Sequence, residues 1–167
     1  LLDTIVALST AFMPSAIGVV RLSGNKSLEI LGKIFTKDVS KLEPNKVVFG
    51  KIKDGNGHTV DEVVVTYYQG PRSFTGEDVI EISCHGSMLI VDQIISLLLS
   101  KGARLAERGE FTSRAFYNGR IDLVQAEAVN SLINAQTKEA KQISLYSLNG
   151  QTSSLLYPVR DHLADIL

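Results

Sequence analysis

A carboxylate in the middle of an apolar, β-branched run offers the first chemistry in this sequence: Glu81, within SFTGEDVIEISCHG at 73–86. Read as a strand from Asp78, with a period of two, the run places Val79, Glu81, Ser83 and His85 on one face. Asp78, Ile80, Ile82 and Cys84 share the other. With the isoleucines on a core, Glu81 looks out from the second face, which is either simply wet, as in many antiparallel sheets, or presents a fixed carboxylate to a ligand. Arg21 repeats the pattern in IGVVRLSG, where Ile17, Val19 and Arg21 share a face. An edge strand with an arginine laid along apolar surface would read the same way. Taken together, the carboxylate can accept two parallel hydrogen bonds from an amino-pyrimidine edge, and the guanidinium can pair with a carboxylate tail or a carbonyl. The two residues define a candidate binding site for a planar, polar heterocycle.

Other constellations offer less. Cys84 and His85 are adjacent, so on a strand they point to opposite faces and do not form a thiolate–imidazolium pair. Glu77, Asp78 and Glu81 could be a cation site but lack the ordered spacing of a calcium loop; a solvated loop plus one inward carboxylate is the simpler reading. The strand, glycine turn and helix around Ser23-Gly24-Asn25-Lys26-Ser27 invite a phosphate-loop reading. That loop requires four residues between its first Gly and a Gly-Lys-Ser/Thr, whereas here five separate Gly18 from Gly24 and Asn25 intervenes before Lys26. Asn25-Lys26-Ser27 also matches a glycosylation triplet, a coincidence in a chain without a secretory signal.

The chain has 167 residues, 44% of them hydrophobic, enough for one domain with a sizeable core and room for part of a second. A formal net charge of −1 provides no global field toward nucleic acid or an acidic membrane surface, so any RNA contact would be local. One cysteine excludes an internal disulfide, and three histidines give no metal-ligand spacing. The opening LLDTIVALSTAFMPS lacks a basic signal-peptide start, and no apolar run approaches a bilayer span, so a cytoplasmic protein is expected. The absent initiator Met suggests a trimmed or renumbered start.

These side chains need elements to hold them. Two strands are expected at 4–8 and 17–22, joined by a loop around Met13, Pro14 and Ser15, followed by a helix in which Leu28, Leu31, Ile34 and Phe35 share a side. KVVFGKIK and HTVDEVVVTYYQ flank Asp54-Gly55-Asn56-Gly57 as a hairpin. SMLIVDQIISLLLSKG reads as a buried helix stopped by Gly102, with a short edge strand at 103–105. The first part is therefore α+β, a mixed or antiparallel sheet with flanking helices. From Glu110 the pattern is helical: LVQAEAVNSLINAQ with Asp122 as N-cap, KEAKQISLYSLNG, and a third stretch disturbed at Pro158 and still running at Leu167. Such an ending suggests a fragment whose apolar stripes need further segments or a partner chain.

The motifs DTIVA at 3–7, IGVVRLSG ending at Gly24, SFTGEDVIEISCHG from Ser73 and GEFTSRAFYNGRIDLVQAEAV from Gly109 resemble the tRNA-modification GTPase family MnmE, also called TrmE, along essentially the whole chain. The resemblance implies a tetrahydrofolate-binding and dimerisation domain at 1–118, related to the folate domain of aminomethyltransferases, and the first helices of an all-helical domain at 119–167. It implies that the full-length protein works with the flavoprotein MnmG to place an aminomethyl or carboxymethylaminomethyl group on C5 of the wobble uridine of tRNA. A reduced folate, 5-formyl- or 5,10-methylene-tetrahydrofolate, would supply the one-carbon unit at a homodimer of these domains, and a G domain would use GTP, Mg2+ and K+. By motif, Arg21, Glu81 and Arg120 correspond to the folate-contacting positions, with Arg120 where the family usually has Lys.

Besides Arg120, three places depart from that pattern. Ala11-Phe12-Met13-Pro14-Ser15 replaces a glycine-containing loop, Ser87 replaces the second glycine of His-Gly-Gly, and Arg108 replaces a proline. The 167 residues also contain no G-x-x-x-x-G-K-[ST], so this chain alone is not expected to hydrolyse GTP. Two further readings stay open: a free-standing folate-dependent aminomethyltransferase-like protein, and a dimerisation scaffold without folate binding.

Overall fold

The computed structural model describes residues 3–164 and divides into two compact units, Leu1–Phe111 and Thr112–Leu167. The first unit is built on six strands: β1 (Ile5–Leu8), β2 (Ile17–Ser23), β3 (Val47–Lys53), β4 (Thr59–Tyr68), β5 (Val79–His85) and β6 (Arg104–Leu105). Their order is β3-β4-β5-β2-β1-β6, antiparallel throughout except where β6 joins β1 in parallel. The expected α+β class and mixed sheet are observed. β5 lies centrally between β4 and β2, so Glu81 is flanked by strands on both sides.

One sheet face carries the core. Val20, Leu22, Ile52, Val63, Val65, Ile80, Ile82 and Cys84 alternate along their strands and pack against helices α1 (Ser27–Gly32) and α2 (Met88–Ser100). Val91, Ile94 and Leu98 form the fully buried stripe of α2 at helical spacing. The helix stops where anticipated, at Gly102, whose φ of 110° is readily adopted without a Cβ.

α1 is shorter than its apolar spacing predicts. After Gly32 the chain leaves the helix, and Phe35 bridges Ile52 while Thr36 N–H donates to Lys51 and Lys53 N–H to Ile34. The unpaired edge of β3 competes for these backbone groups and wins. Gly50 makes this approach feasible, because a Cβ there would collide with the Phe35 ring. The β3–β4 hairpin turns on Asp54, whose Oδ1 accepts the N–H groups of Asn56 and His58, each at 2.9 Å.

The second unit is helical. α3 (Glu110–Tyr117) begins in the first unit and is followed by α4 (Leu123–Ile133), α5 (Lys138–Leu148) and α6 (Gln151–Ala164). Asp122 caps α4 in a reciprocal box with Gln125, and Thr137 caps α5 through Ala140 N–H. α6 runs through Pro158 without breaking, unlike the expected disturbance; the missing N–H removes only one bond of the ladder. Whether the pattern continues to Leu167 lies outside the described residues. Leu123, Ile133, Ile143, Leu155 and Leu163 are exposed apolar side chains of this unit, whereas Ala126, Val129 and Leu132 of α4 are partly buried. No helix among the described residues is long and apolar enough to cross a membrane.

Candidate functional site

Arg21 and Glu81 are directly opposed across β2 and β5, with Thr66 of β4 facing Glu81 from its other side. They lie on the sheet face away from the core, with about a quarter of each side chain exposed, 26% and 24%. Arg21 Nε (3.0 Å) and Nη2 (2.6 Å) both donate to Glu81 Oε1. Oε2 accepts from the Tyr68 hydroxyl at 3.3 Å. Burial, reinforced by the Glu81 charge and that hydrogen bond, pushes the Tyr68 phenol up, which keeps it a protonated donor. The rings of Phe74 and Phe111 each approach the Arg21 guanidinium to 5.7 Å. The two residues singled out by face alternation therefore meet, as an ion pair walled by aromatic side chains.

The loop between β4 and β5 is fixed by its own polar residues. Ser73 Oγ donates to the Glu77 carbonyl, Thr75 and Ser23 hydroxyls meet at 2.6 Å, and Ser23 donates to Glu77 Oε2 at 2.7 Å. Asp78 Oδ1 accepts from Gly70 N–H and the Tyr67 hydroxyl. Burial, together with Asp78, pushes the Tyr67 phenol up to about 12. Glu77, Asp78 and Glu81 thus serve three separate sets of partners rather than one cation. At the glycine turn, Ser27 N–H donates to Gly24 and Lys26 N–H to Thr4, which occupies the groups a phosphate would need.

Sequence reasoning missed Asp61. This carboxylate, 8% exposed, accepts the His85 backbone N–H on Oδ2 at 2.8 Å and meets His85 Nδ1 through Oδ1 at 2.7 Å. The signal was present, since Asp61 occupies the buried face of β4 with Val63 and Val65, an acid among core residues. Cys84 points the other way, into the core, with its thiol against the Gly18 carbonyl. Burial pushes that thiol up, as expected of an inert cysteine.

The divergent Ala11–Ser15 loop is tied to the far end of β5. Ser15 N–H donates to Gly86, and Gly86 N–H to Ala16. Gly86 is five residues beyond Glu81, roughly 16 Å along an extended strand. Arg120 lies in the second unit, exposed, just after the αL glycine Gly119 that ends α3, with its N–H on the Ala115 carbonyl. Arg21 and Glu81 belong to the first unit.

Comparison with known proteins agrees with the motifs. Residues 4–120 match the family model described as GTP-binding protein TrmE N-terminus. A tRNA modification GTPase MnmE from Alkaliphilus metalliredigens is 45% identical over 170 residues, covering 99% of this chain and 37% of the relative. The proteins of that name from Clostridioides difficile and Aquifex aeolicus are 46% and 44% identical, with the same coverage. The chain thus spans little more than a third of the relatives it matches. With the family model covering most of the chain and the identity extending along its length, the chain belongs to the TrmE/MnmE family and corresponds to its N-terminal part.

Proposed function

We propose that this chain is the reduced-folate-binding and dimerising portion of a cytoplasmic tRNA-modification GTPase. The observation that carries the reading is the partly exposed Arg21–Glu81 pair on the sheet face away from the core, within the family-matched region. The donor set fits an amino-pteridine: the Glu81 carboxylate would take the paired N–H edge, and Arg21 a carbonyl or carboxylate. Arg120, matched by motif, would add a cation, with a fork in place of an ammonium. A bound 5-formyl- or 5,10-methylene-tetrahydrofolate would supply the one-carbon unit for C5 modification of wobble uridine, with MnmG as partner. GTP, Mg2+ and K+ would act in a G domain outside these residues.

The test is calorimetric titration with 5-formyltetrahydrofolate alongside a light-scattering mass. Saturable binding by a dimer, abolished in a folded Glu81→Ala variant, is expected. Unchanged affinity in that variant would sink the assignment. A dimerisation scaffold without folate is the second reading. It is favoured by the ion pair itself, in which Arg21 and Glu81 already satisfy one another, and predicts a folded dimer that binds no folate.

A further inference from the structure

The SFTGED loop contains one aromatic side chain among residues that hold it by hydrogen bonds. Ser73 and Thr75 are buried, at 5% and 0% exposure, and with Glu77 and Asp78 they hold the loop to itself and to Ser23, Tyr67 and Gly70. Phe74, between them, is 40% exposed. A phenyl ring on a loop pinned on both sides thus keeps part of its surface available beside the Arg21–Glu81 pair. Its position is nonetheless defined, because its ring faces the Arg21 guanidinium at 5.7 Å, and Arg21 is in turn bonded to Glu81. One planar cation therefore touches both an aromatic ring and a carboxylate.

We propose that Phe74 is an aromatic platform of the Arg21–Glu81 site, on which the planar ring of an amino-substituted heteroaromatic ligand stacks while its edge bonds Glu81. The inference rests on the folate reading above and deepens it: the carboxylate selects the hydrogen-bonding edge, and Phe74 selects a flat π-system over an aliphatic amidine or guanidine. The guanidinium, flat and edge-bonded to Glu81, has in miniature the chemistry of such a ligand. Phe111, at the same distance from Arg21 in the first turn of α3, offers a second ring beside the site.

The experiment uses the whole chain and 5-formyltetrahydrofolate as probe, with affinity from calorimetry and ligand proton shifts from NMR. Stacking predicts upfield ring-current shifts of pteridine-side protons in the unsubstituted protein. Phe74→Leu should lose those shifts and about ten-fold in affinity, while Phe74→Tyr should retain both within about two-fold. Equal affinity and unchanged shifts in folded Phe74→Leu would overturn the platform and leave the folate reading standing. Loss of stability in Phe74→Leu with unchanged affinity would likewise overturn it, assigning the ring to packing on Arg21. Because the shifts are read on the unsubstituted protein, their absence in a saturated complex decides against stacking even if the leucine variant fails to fold. No binding by the folded, unsubstituted protein would overturn the folate reading and the platform together.

Discussion

Both contacting nitrogens of Arg21 lie on a single oxygen of Glu81, and the second oxygen is left to the Tyr68 hydroxyl. The carboxylate is thus held at both ends before any ligand arrives. Because a cross-strand pair with about a quarter of each side chain exposed is partly screened by solvent, its contribution to folding is small. A double-mutant cycle of Arg21→Ala and Glu81→Ala, read by urea unfolding, should give a coupling of about 1 kcal/mol or less. A much larger coupling would mean that Glu81→Ala cannot separate binding from folding.

Asp61 should matter more to stability than Glu81. Its buried carboxylate accepts the N–H groups of Glu62 and His85 and engages the His85 ring. Asp61→Ala removes a buried acceptor from two backbone N–H groups, at a cost of about 1–3 kcal/mol, while the exposed His85 ring can turn to water. Asp61→Asn retains one acceptor oxygen and should cost less. The midpoint of urea unfolding at constant slope reports the difference; an alanine variant as stable as the unsubstituted protein would contradict the geometry.

The alternation that revealed Glu81 and Arg21 was legible because strand period two needs only one buried face to set it, and the isoleucines of β5 provide that face. Hairpin, α2 and the Asp122 cap were legible for similarly local reasons. Their opposition in register was not, because strand order depends on which segments pair at long range, and β2 finds β5 across more than fifty intervening residues. The early end of α1 was hidden for the same reason: local apolar spacing favoured helix through Phe35, while a distant strand edge claimed its backbone. Phe74 read only as part of a motif until its neighbours' hydrogen bonds accounted for the rest of the loop.

Cys84 should resist modification. Its side chain is buried and its thiol is pushed up by burial and by the nearby Asp61 charge, so thiolate is scarce at neutral pH. A thiol-specific reagent should label the native protein far more slowly than the urea-unfolded chain. Rapid native labelling would show that β5 opens readily, or that the thiol faces solvent.

The helical unit should carry a pH dependence through Asp122. Burial alone would raise this carboxyl, but the neighbouring Ser153 hydroxyl, the Gln125 and Val124 N–H groups and the Tyr157 hydroxyl outweigh it, and the net shift is downward. A carboxyl lowered in the folded state stabilises it above the unfolded value, about 3.9, and loses that contribution as pH falls through the folded value. Asp122 is also the N-cap of α4, and its replacement by Ala should cost about 1 kcal/mol at neutral pH. The gap between the unsubstituted protein and Asp122→Ala, followed by far-UV circular dichroism in urea, should therefore narrow as the pH falls below about 4. Asp122→Asn, which keeps a capping oxygen without the charge, should lie between them at neutral pH and near the unsubstituted protein in acid. A gap that stayed constant across this range would assign the stabilisation to the cap's shape alone, with no contribution from its charge.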